Sequence, residues 1–342
     1  MKALVQKTEE KQSIVFEEVE EPSPLPQEVK VKVIAAGICG TDVHGISSLR
    51  PPVILGHEFA GVITEVGSEV RQVKVGDRVT SETTVFSCGT CPYCVEGHFN
   101  LCPYRKGIGS GVNGAFADYI VIPEKALHVL PSTLSFEEGA ILEPFACAVH
   151  AVIEQAKVEE GEKVLVFGPG PLGILVAWLA RFCGAQVLLA GKAEDRGRME
   201  RAERYLPPLS TVNVDAIDLE GYIRDHIDPY GMDTVFECSG ALPAVYMGLR
   251  LLKKRGRFFQ LGILHREVPI DFDEYLFSRE LVLSGSRTQK KSSWEKAMAI
   301  LNEHSFPLRE LITHVLPLER WQEGFALTQR REALKVILKP GV

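Results

Sequence analysis

The sequence predicts an α/β protein of two domains, one β-rich and one built on a parallel sheet covered by helices. Three observations carry this. The length, 342 residues, exceeds the roughly 250–300 residues at which a single hydrophobic core stops growing. Up to about residue 150, short runs rich in Val, Ile and Ala are separated by Gly and Pro. From about 151, strand-like apolar runs alternate with helical stretches, the rhythm of a doubly covered parallel sheet. The tail is expected to return to the first domain. The boundaries are therefore 1–150 with 287–342 for the β-rich domain, and 151–286 for the parallel-sheet domain.

In chain order, the strand runs of the first domain are Val29–Ala35, Ala60–Val66 and Phe116–Ile122, and Pro22–Pro26 is a turn or extended segment. The second domain opens with Lys163–Phe167, then glycines, then a helical pattern over Pro171–Phe182. Val187–Gly191 repeats the strand type. The charged helix after it stops at Pro207 and Pro208, which cannot continue a helix. Asp233–Cys238, Arg257–Leu261 and Leu281–Ser284 complete the strand set. Beyond 287 come a helix, Ser293–Asn302, and short strands ending at Leu334–Lys339.

Composition narrows the class. Hydrophobic residues make up 45% and charged residues 24%, an ordinary globular balance. The net charge of −7, with Lys and Arg scattered, offers no basic face for nucleic acid. The longest apolar stretch, Ile174–Ala180, is too short to cross a membrane. The opening MKALVQKTEE has neither the apolar run nor the Arg/Ser pattern of a targeting peptide. Of eight cysteines, four fall between Cys88 and Cys102, which in a large chain reads as metal binding rather than a disulfide framework. A reducing, cytoplasmic setting is expected.

Val164–Phe167 runs into Gly168-Pro169-Gly170-Pro171-Leu172-Gly173. This is G-x-G-x-x-G with a strand before it and a helix after it. Gly168 allows the tight turn, Gly170 lets backbone approach a pyrophosphate, and Gly173 lets helix pack on strand. The helix N-terminus, opened by Pro171 and Leu172, presents free N–H groups to the phosphates. The expected cofactor is NAD or NADP. The acidic residue that would bind the ribose 2′-hydroxyl at the end of the second strand is replaced by Gly191-Lys192. Lys192, Arg196 and Arg198 are nearby and suit a 2′-phosphate. The plainer reading makes them solvated charges at a helix start, and the sequence leaves both open.

Cys88-x2-Cys91-x2-Cys94-x7-Cys102 can close a tetrahedral thiolate shell, a structural zinc site. An iron–sulfur run has a last gap of three residues rather than seven, and a nucleic-acid zinc ribbon has two separated pairs. A second set is dispersed: Cys39 in Gly37-Ile38-Cys39-Gly40-Thr41-Asp42, His57 and Glu58 after Gly56, and Glu143 before Pro144. One soft and several harder ligands suit a catalytic zinc with an open position. Spacing alone also allows a buried thiol and a surface His-Glu pair.

In motif order and over nearly the whole chain, these residues resemble the zinc-containing medium-chain dehydrogenase/reductase family. Gly37–Asp42 is similar to its first ligand turn, and Gly56-His57-Glu58-Phe59-Ala60-Gly61 to its GHE segment. Cys88–Cys102 is similar to its structural-zinc loop. Glu143-Pro144-Phe145-Ala146-Cys147-Ala148-Val149-His150 resembles the EP-x-x-x-x-x-H stretch of its polyol and threonine dehydrogenase branch. The resemblance implies a split, GroES-like catalytic domain and a Rossmann-type domain inserted in it. It also implies two zinc ions per chain, NAD or NADP, and oxidation of a small-molecule secondary alcohol. Cys39 and His57 would bind the catalytic zinc, with Glu58 and Glu143 supplying carboxylates directly or through water. Thr41 would be the first proton acceptor, with His44 carrying the proton onward. A homodimer or homotetramer is implied, its sheets pairing near Leu281–Ser284. Cys147 is read as core.

The chain departs from the family in three places. Only Gly-Ile-Ser-Ser-Leu-Arg separates His44 from Pro51, a short loop expected to reshape the substrate pocket. Arg287 stands one position out of step with a family arginine and is left unassigned. Leu206–Leu209, with two prolines, replaces a glycine as a surface variation. An amino-alcohol dehydrogenase of the threonine type shares the Glu-bearing zinc site, so the motifs do not separate it from a polyol enzyme. A non-catalytic zinc- and nucleotide-binding regulator is the alternative of another class, and it needs no open zinc position.

Overall fold

The computed structural model describes residues 1–10, 13–45, 49–205, 209–304 and 306–341. The chain forms two compact units, Met1–Ala146 with Thr288–Val342, and Cys147–Arg287. Among the described residues no helix is long and apolar enough to cross a membrane.

The first unit is built on a seven-stranded sheet. Its path runs Leu127–Val129, Arg78–Ser81, Glu58–Val66, Glu28–Gly37, Lys335–Lys339, Ile312–Pro317, and Tyr119–Pro123 also pairs with Glu28–Gly37. Glu28–Gly37 shows why it becomes the central strand. Val29, Val31 and Val33 alternate into the core beside Phe59, Ile63 and Ile122. Lys30 points the other way, its ammonium 2.6 Å from Glu65 and also paired with Glu21. The strand expected over Phe116–Ile122 begins at Tyr119 instead. Phe116 and Ala117 serve the N-terminal segment: Phe116 accepts the Leu4 N–H at 2.8 Å, and Ala117 bridges to Ala3. Both ends of the chain fill one core, Leu4 and Val31 with Leu316, Val336 and Leu338. In the sheet, Gly37 lies opposite Glu58 on one side and Ile337 on the other. Three distant segments therefore meet where the central strand ends.

The second unit carries six strands: β1 (Lys163–Phe167), β2 (Gln186–Gly191), β3 (Ser210–Asn213), β4 (Met232–Glu237), β5 (Leu252–Gln260) and β6 (Val282–Gly285). They pair in the order β3-β2-β1-β4-β5-β6, every pair parallel. Val164 to Phe167 are at most 3% exposed, the continuous apolar run that a strand covered on both faces requires. Strand order reverses between β1 and β4, and ligands of such sheets bind at the carboxyl ends beside that reversal. This is the doubly wound α/β architecture. The charged helix after β2 spans Arg196–Tyr205. Its expected proline stop, residues 206–208, lies outside the described residues.

Candidate active site

Cys39 follows the central strand of the first unit by two residues and leads into a short helix, α1 (Gly40–His44). The Asp42 carboxylate accepts the Cys39 N–H at 2.9 Å and fixes the turn. His57 immediately precedes the paired strand Glu58–Val66, so register alone carries Cys39, His57 and Glu58 to one end of the sheet. The thiol, the imidazole and the Glu58 carboxylate each place a donor atom within 4.8 Å of the other two. Gly37 makes room for this: a Cβ there would lie 2.3 Å from Glu58 Oε2.

The surroundings suit a cation. His57 is 8% exposed, and its Nδ1 lies 3.4 Å from the buried Asp42 Oδ1. That contact is in ion-pair range without meeting hydrogen-bond geometry, so Asp42 Oδ1 is left without a hydrogen bond. Burial pushes the His57 pKa down, but Asp42 and then Cys39 outweigh it and hold it well above its ordinary value. A field that keeps a proton between these groups also favours a metal ion. Asp42 stands against Nδ1 of the ring, as carboxylate partners do for metal-binding histidines.

Two carboxylates differ in their partners. Glu58 is fully buried and takes Lys335 Nζ at 2.9 and 2.8 Å through its two oxygens, and Lys335 also donates to the Ile38 carbonyl at 3.0 Å. Burial raises the Glu58 carboxyl; Lys335 pulls against this, and the neighbouring Glu143 charge adds to it. Glu143, in the first turn of the helix α2 (Leu142–Val149), receives the Thr83 hydroxyl at 2.6 Å and the Gln289 amide at 3.3 Å, both on Oε1. It stands outside the three converging donors. Thr41 is half-buried and His44 exposed, both on α1. Cys147, expected in the core, is partly exposed and joins neither donor set. Sequence reasoning assigned no role to Asp42, Thr83, Gln289 or Lys335. The signal for Lys335 was a charge inside the apolar run Leu334–Leu338, which a buried strand admits only with a partner.

Cys88, Cys91, Cys94 and Cys102 form the second donor set. The Cys88 sulfur lies 3.6 Å from that of Cys102 and 3.9 Å from that of Cys94. Four sulfurs about 2.3 Å from a tetrahedral zinc stand about 3.8 Å apart, whereas a disulfide requires about 2.05 Å. Backbone N–H groups of Thr90 and then Cys91 draw the Cys88 thiol down to about 6, while burial pushes Cys91 up to about 12. The shell fits zinc. The short segment after His44 that was expected to shape the pocket is described only in part, since residues 46–48 lie outside the described residues.

In the second unit, the helix α3 (Pro171–Phe182) starts on Gly170 with no side chain capping it, leaving N–H groups for an anion. Gly168 has φ +96°, and a Cβ on Gly173 would lie 2.0 Å from the Gly168 carbonyl oxygen. A Cβ on Gly170 would meet nothing within 4 Å, so open space borders the backbone where a pyrophosphate would approach. Pro171 and Leu172 form the first turn of α3. At the end of β2, a Cβ on Gly191 would lie 2.8 Å from Pro169 Cγ and 2.9 Å from Met199 Sδ. An acidic side chain has no room there. Lys192 and Arg196 are exposed, Arg196 being 2.7 Å from Glu200, and Arg198 lies 3.9 Å from Asp195.

Comparison with known proteins gives consistent results. Residues 25–132 match the alcohol dehydrogenase GroES-like domain, and residues 171–303 match the zinc-binding dehydrogenases. A sorbitol dehydrogenase of Halalkalibacterium halodurans is 38% identical over 99% of each chain. A D-arabitol-phosphate dehydrogenase of Enterococcus avium is 38% identical, over 95% of this chain and 94% of its own. An L-threonine 3-dehydrogenase of Xanthomonas euvesicatoria is 35% identical over 99% of each. A Sinorhizobium meliloti protein described as a zinc-binding dehydrogenase, solved with NADP bound, superposes with a TM-score of 0.90 at 32% identity over 99% of each chain.

Proposed function

This chain belongs to the zinc-containing, GroES-like alcohol dehydrogenase family, and we propose that it oxidises a carbinol of a polyol or sugar alcohol, free or phosphorylated, to the ketone. The observation that carries the reading is the convergence of Cys39, His57 and Glu58 within 4.8 Å in a buried, cation-favouring field, in a chain that also has a dinucleotide turn. The sorbitol and arabitol-phosphate enzymes among its relatives support the substrate class.

Cys39, His57 and Glu58 would hold the catalytic zinc, with Glu143 beside them; Cys88, Cys91, Cys94 and Cys102 would hold the structural one. When bound, zinc supplies a Lewis acid that lowers the pKa of a hydroxyl, and NAD(P) supplies the hydride acceptor. Thr41 takes the hydroxyl proton, and His44, one turn on and exposed, delivers it to solvent. Asp42 orients His57. Gly168, Gly170 and Gly173, with the start of α3, receive the pyrophosphate. Lys192 and Arg196 flank the ribose, where the absence of an acid favours NADP. The protein acts as a cytoplasmic homodimer or homotetramer, and the edge strand β6, with Val282 exposed, is the pairing edge.

The test is a panel of polyols, sugar-alcohol phosphates and L-threonine with NAD and with NADP, followed by nicotinamide reduction. Chelator-sensitive turnover on one polyol class is expected, with NADP at least as good as NAD. Turnover confined to L-threonine establishes the amino-alcohol reading, which the threonine dehydrogenase among the relatives favours. Silence on every substrate with zinc bound refutes both. Thr41→Val should lower kcat and leave zinc content unchanged; an unaltered kcat removes Thr41 from the relay.

A further inference from the structure

Glu237, the last residue of β4, carries a fully buried carboxylate that the proton and hydride chemistry does not use. Its Oε1 accepts the Ser239 N–H at 2.7 Å and the Gly240 N–H at 3.1 Å, and also the Ser239 hydroxyl. Its Oε2 accepts the Gly240 N–H at 3.0 Å and the Gln260 amide at 2.6 Å. Each of these donors is neutral and points at the carboxylate, which therefore serves as an acceptor only. Gln260 ends β5 and also donates to the Gly262 carbonyl at 2.7 Å. The Glu237 main-chain carbonyl accepts the N–H groups of Leu261 and Gly262, both at 2.9 Å. One residue thus ties together the loops that leave β4 and β5.

Those loops stand at the reversal of strand order. In a doubly wound sheet the dinucleotide lies across the carboxyl ends, one mononucleotide half on each side of the reversal. The pyrophosphate turn and the ribose 2′ position belong to β1 and β2, so the ends of β4 and β5 border the nicotinamide half. The loops also touch the pyrophosphate turn: a Cβ on Gly168 would lie 2.8 Å from Ser239 Cβ and 2.9 Å from Ser239 N. Between the two loops there is no slack, since a Cβ on Gly262 would lie 2.3 Å from Gly240 N and 2.6 Å from Glu237 Oε2.

We propose that Glu237 is a positioning residue for the cofactor: its carboxylate holds the two loops, in register with the pyrophosphate turn, in the arrangement that receives the nicotinamide half. The inference rests on the dinucleotide reading above. It goes beyond a fold staple, because β4 is already held by parallel ladders to β1 and β5. What the carboxylate adds is order in the loops beyond the strand ends.

The test compares zinc-loaded wild type with Glu237→Gln. An amide sets an NH₂ against N–H donors whichever way it is turned. The probes are NADPH and NADH, titrated by fluorescence, and ADP-ribose, which lacks the nicotinamide, titrated by calorimetry. NAD(P)H binding should weaken roughly tenfold to hundredfold, the range for lost hydrogen bonds to a charged group. ADP-ribose binding and zinc content should stay as in wild type. Equal weakening of both ligands makes Glu237 a general staple and overturns the proposal, as does unchanged NAD(P)H binding. Wild type that binds neither nucleotide refutes the dinucleotide reading itself, a result distinct from an unaffected variant. Gln260→Met removes one donor and the tie to Gly262; if Glu237→Gln does not fold, it decides by the same criteria with a smaller expected loss.

Discussion

Replacing Lys335 by Met strands a charge. The Lys335 side chain is 4% exposed and that of Glu58 1%, and the ammonium sits 2.8 Å from Glu58 Oε2. Met keeps most of the alkyl volume, so the packing loss is small, while the Glu58 carboxylate loses its cationic partner. Removing one member of a buried pair costs about 3–5 kcal/mol, against a typical domain stability of about 5–15 kcal/mol. For a unit of this size each kcal/mol moves Tm by about 2–4 °C, so a fall of roughly 6–20 °C is expected. The assay is thermal unfolding by calorimetry of the metal-free protein, wild type and variants alike, so that no bound cation answers the Glu58 charge. The double variant Lys335→Met/Glu58→Gln should regain much of the loss, because the penalty lies in the stranded charge rather than in the missing contact. A fall of less than about 2 °C in the single variant, which is under about 1 kcal/mol, would refute the reasoning. So would a double variant no more stable than the single one.

The dinucleotide glycines separate stability from binding. Gly170→Ala adds a methyl where nothing lies within 4 Å, so Tm should hold while NAD(P)H binding weakens; Gly173→Ala puts one 2.0 Å from the Gly168 carbonyl oxygen, so Tm should fall as well. Equal Tm for the two contradicts this account of the turn. A pH effect follows from Asp228, whose carboxyl is held below its ordinary value first by the Tyr230 N–H at 2.8 Å and then by Lys163 at 2.9 Å. A depressed carboxyl stabilises the fold above its unfolded pKa and loses that contribution as pH falls through its folded pKa. Asp228→Asn should therefore cost less than about 1 kcal/mol at neutral pH, the scale of a partly exposed pair, and the gap from wild type in denaturant titrations should close in acid below the ordinary carboxylate range. A gap that widens in acid reverses the sign and sinks the assignment.

What was legible in the sequence was local. The parallel sheet announces itself because strand, glycine turn and helix follow one another within Lys163–Phe182, and the thiolate shell because its four ligands share one loop of fifteen residues. Cys39 and His57 were legible as pieces, each in a short glycine-bearing motif. Their meeting depends on the register that sets Gly37 opposite Glu58, and no single motif states it. The two carboxylates mark the limit. Glu58 and Glu143 look equivalent as candidate ligands, and spacing gives no order between them. Their inequivalence comes from partners 277 and 146 residues away: Lys335 neutralises Glu58 from the returning C-terminal strand, and Gln289 reaches Glu143 from the segment that re-enters the first unit. A fixed ammonium answers the charge of Glu58, whereas neutral donors polarise Glu143 and leave its charge intact. The difference between the two carboxylates is thus written in the last fifty-five residues, far from either sequence motif.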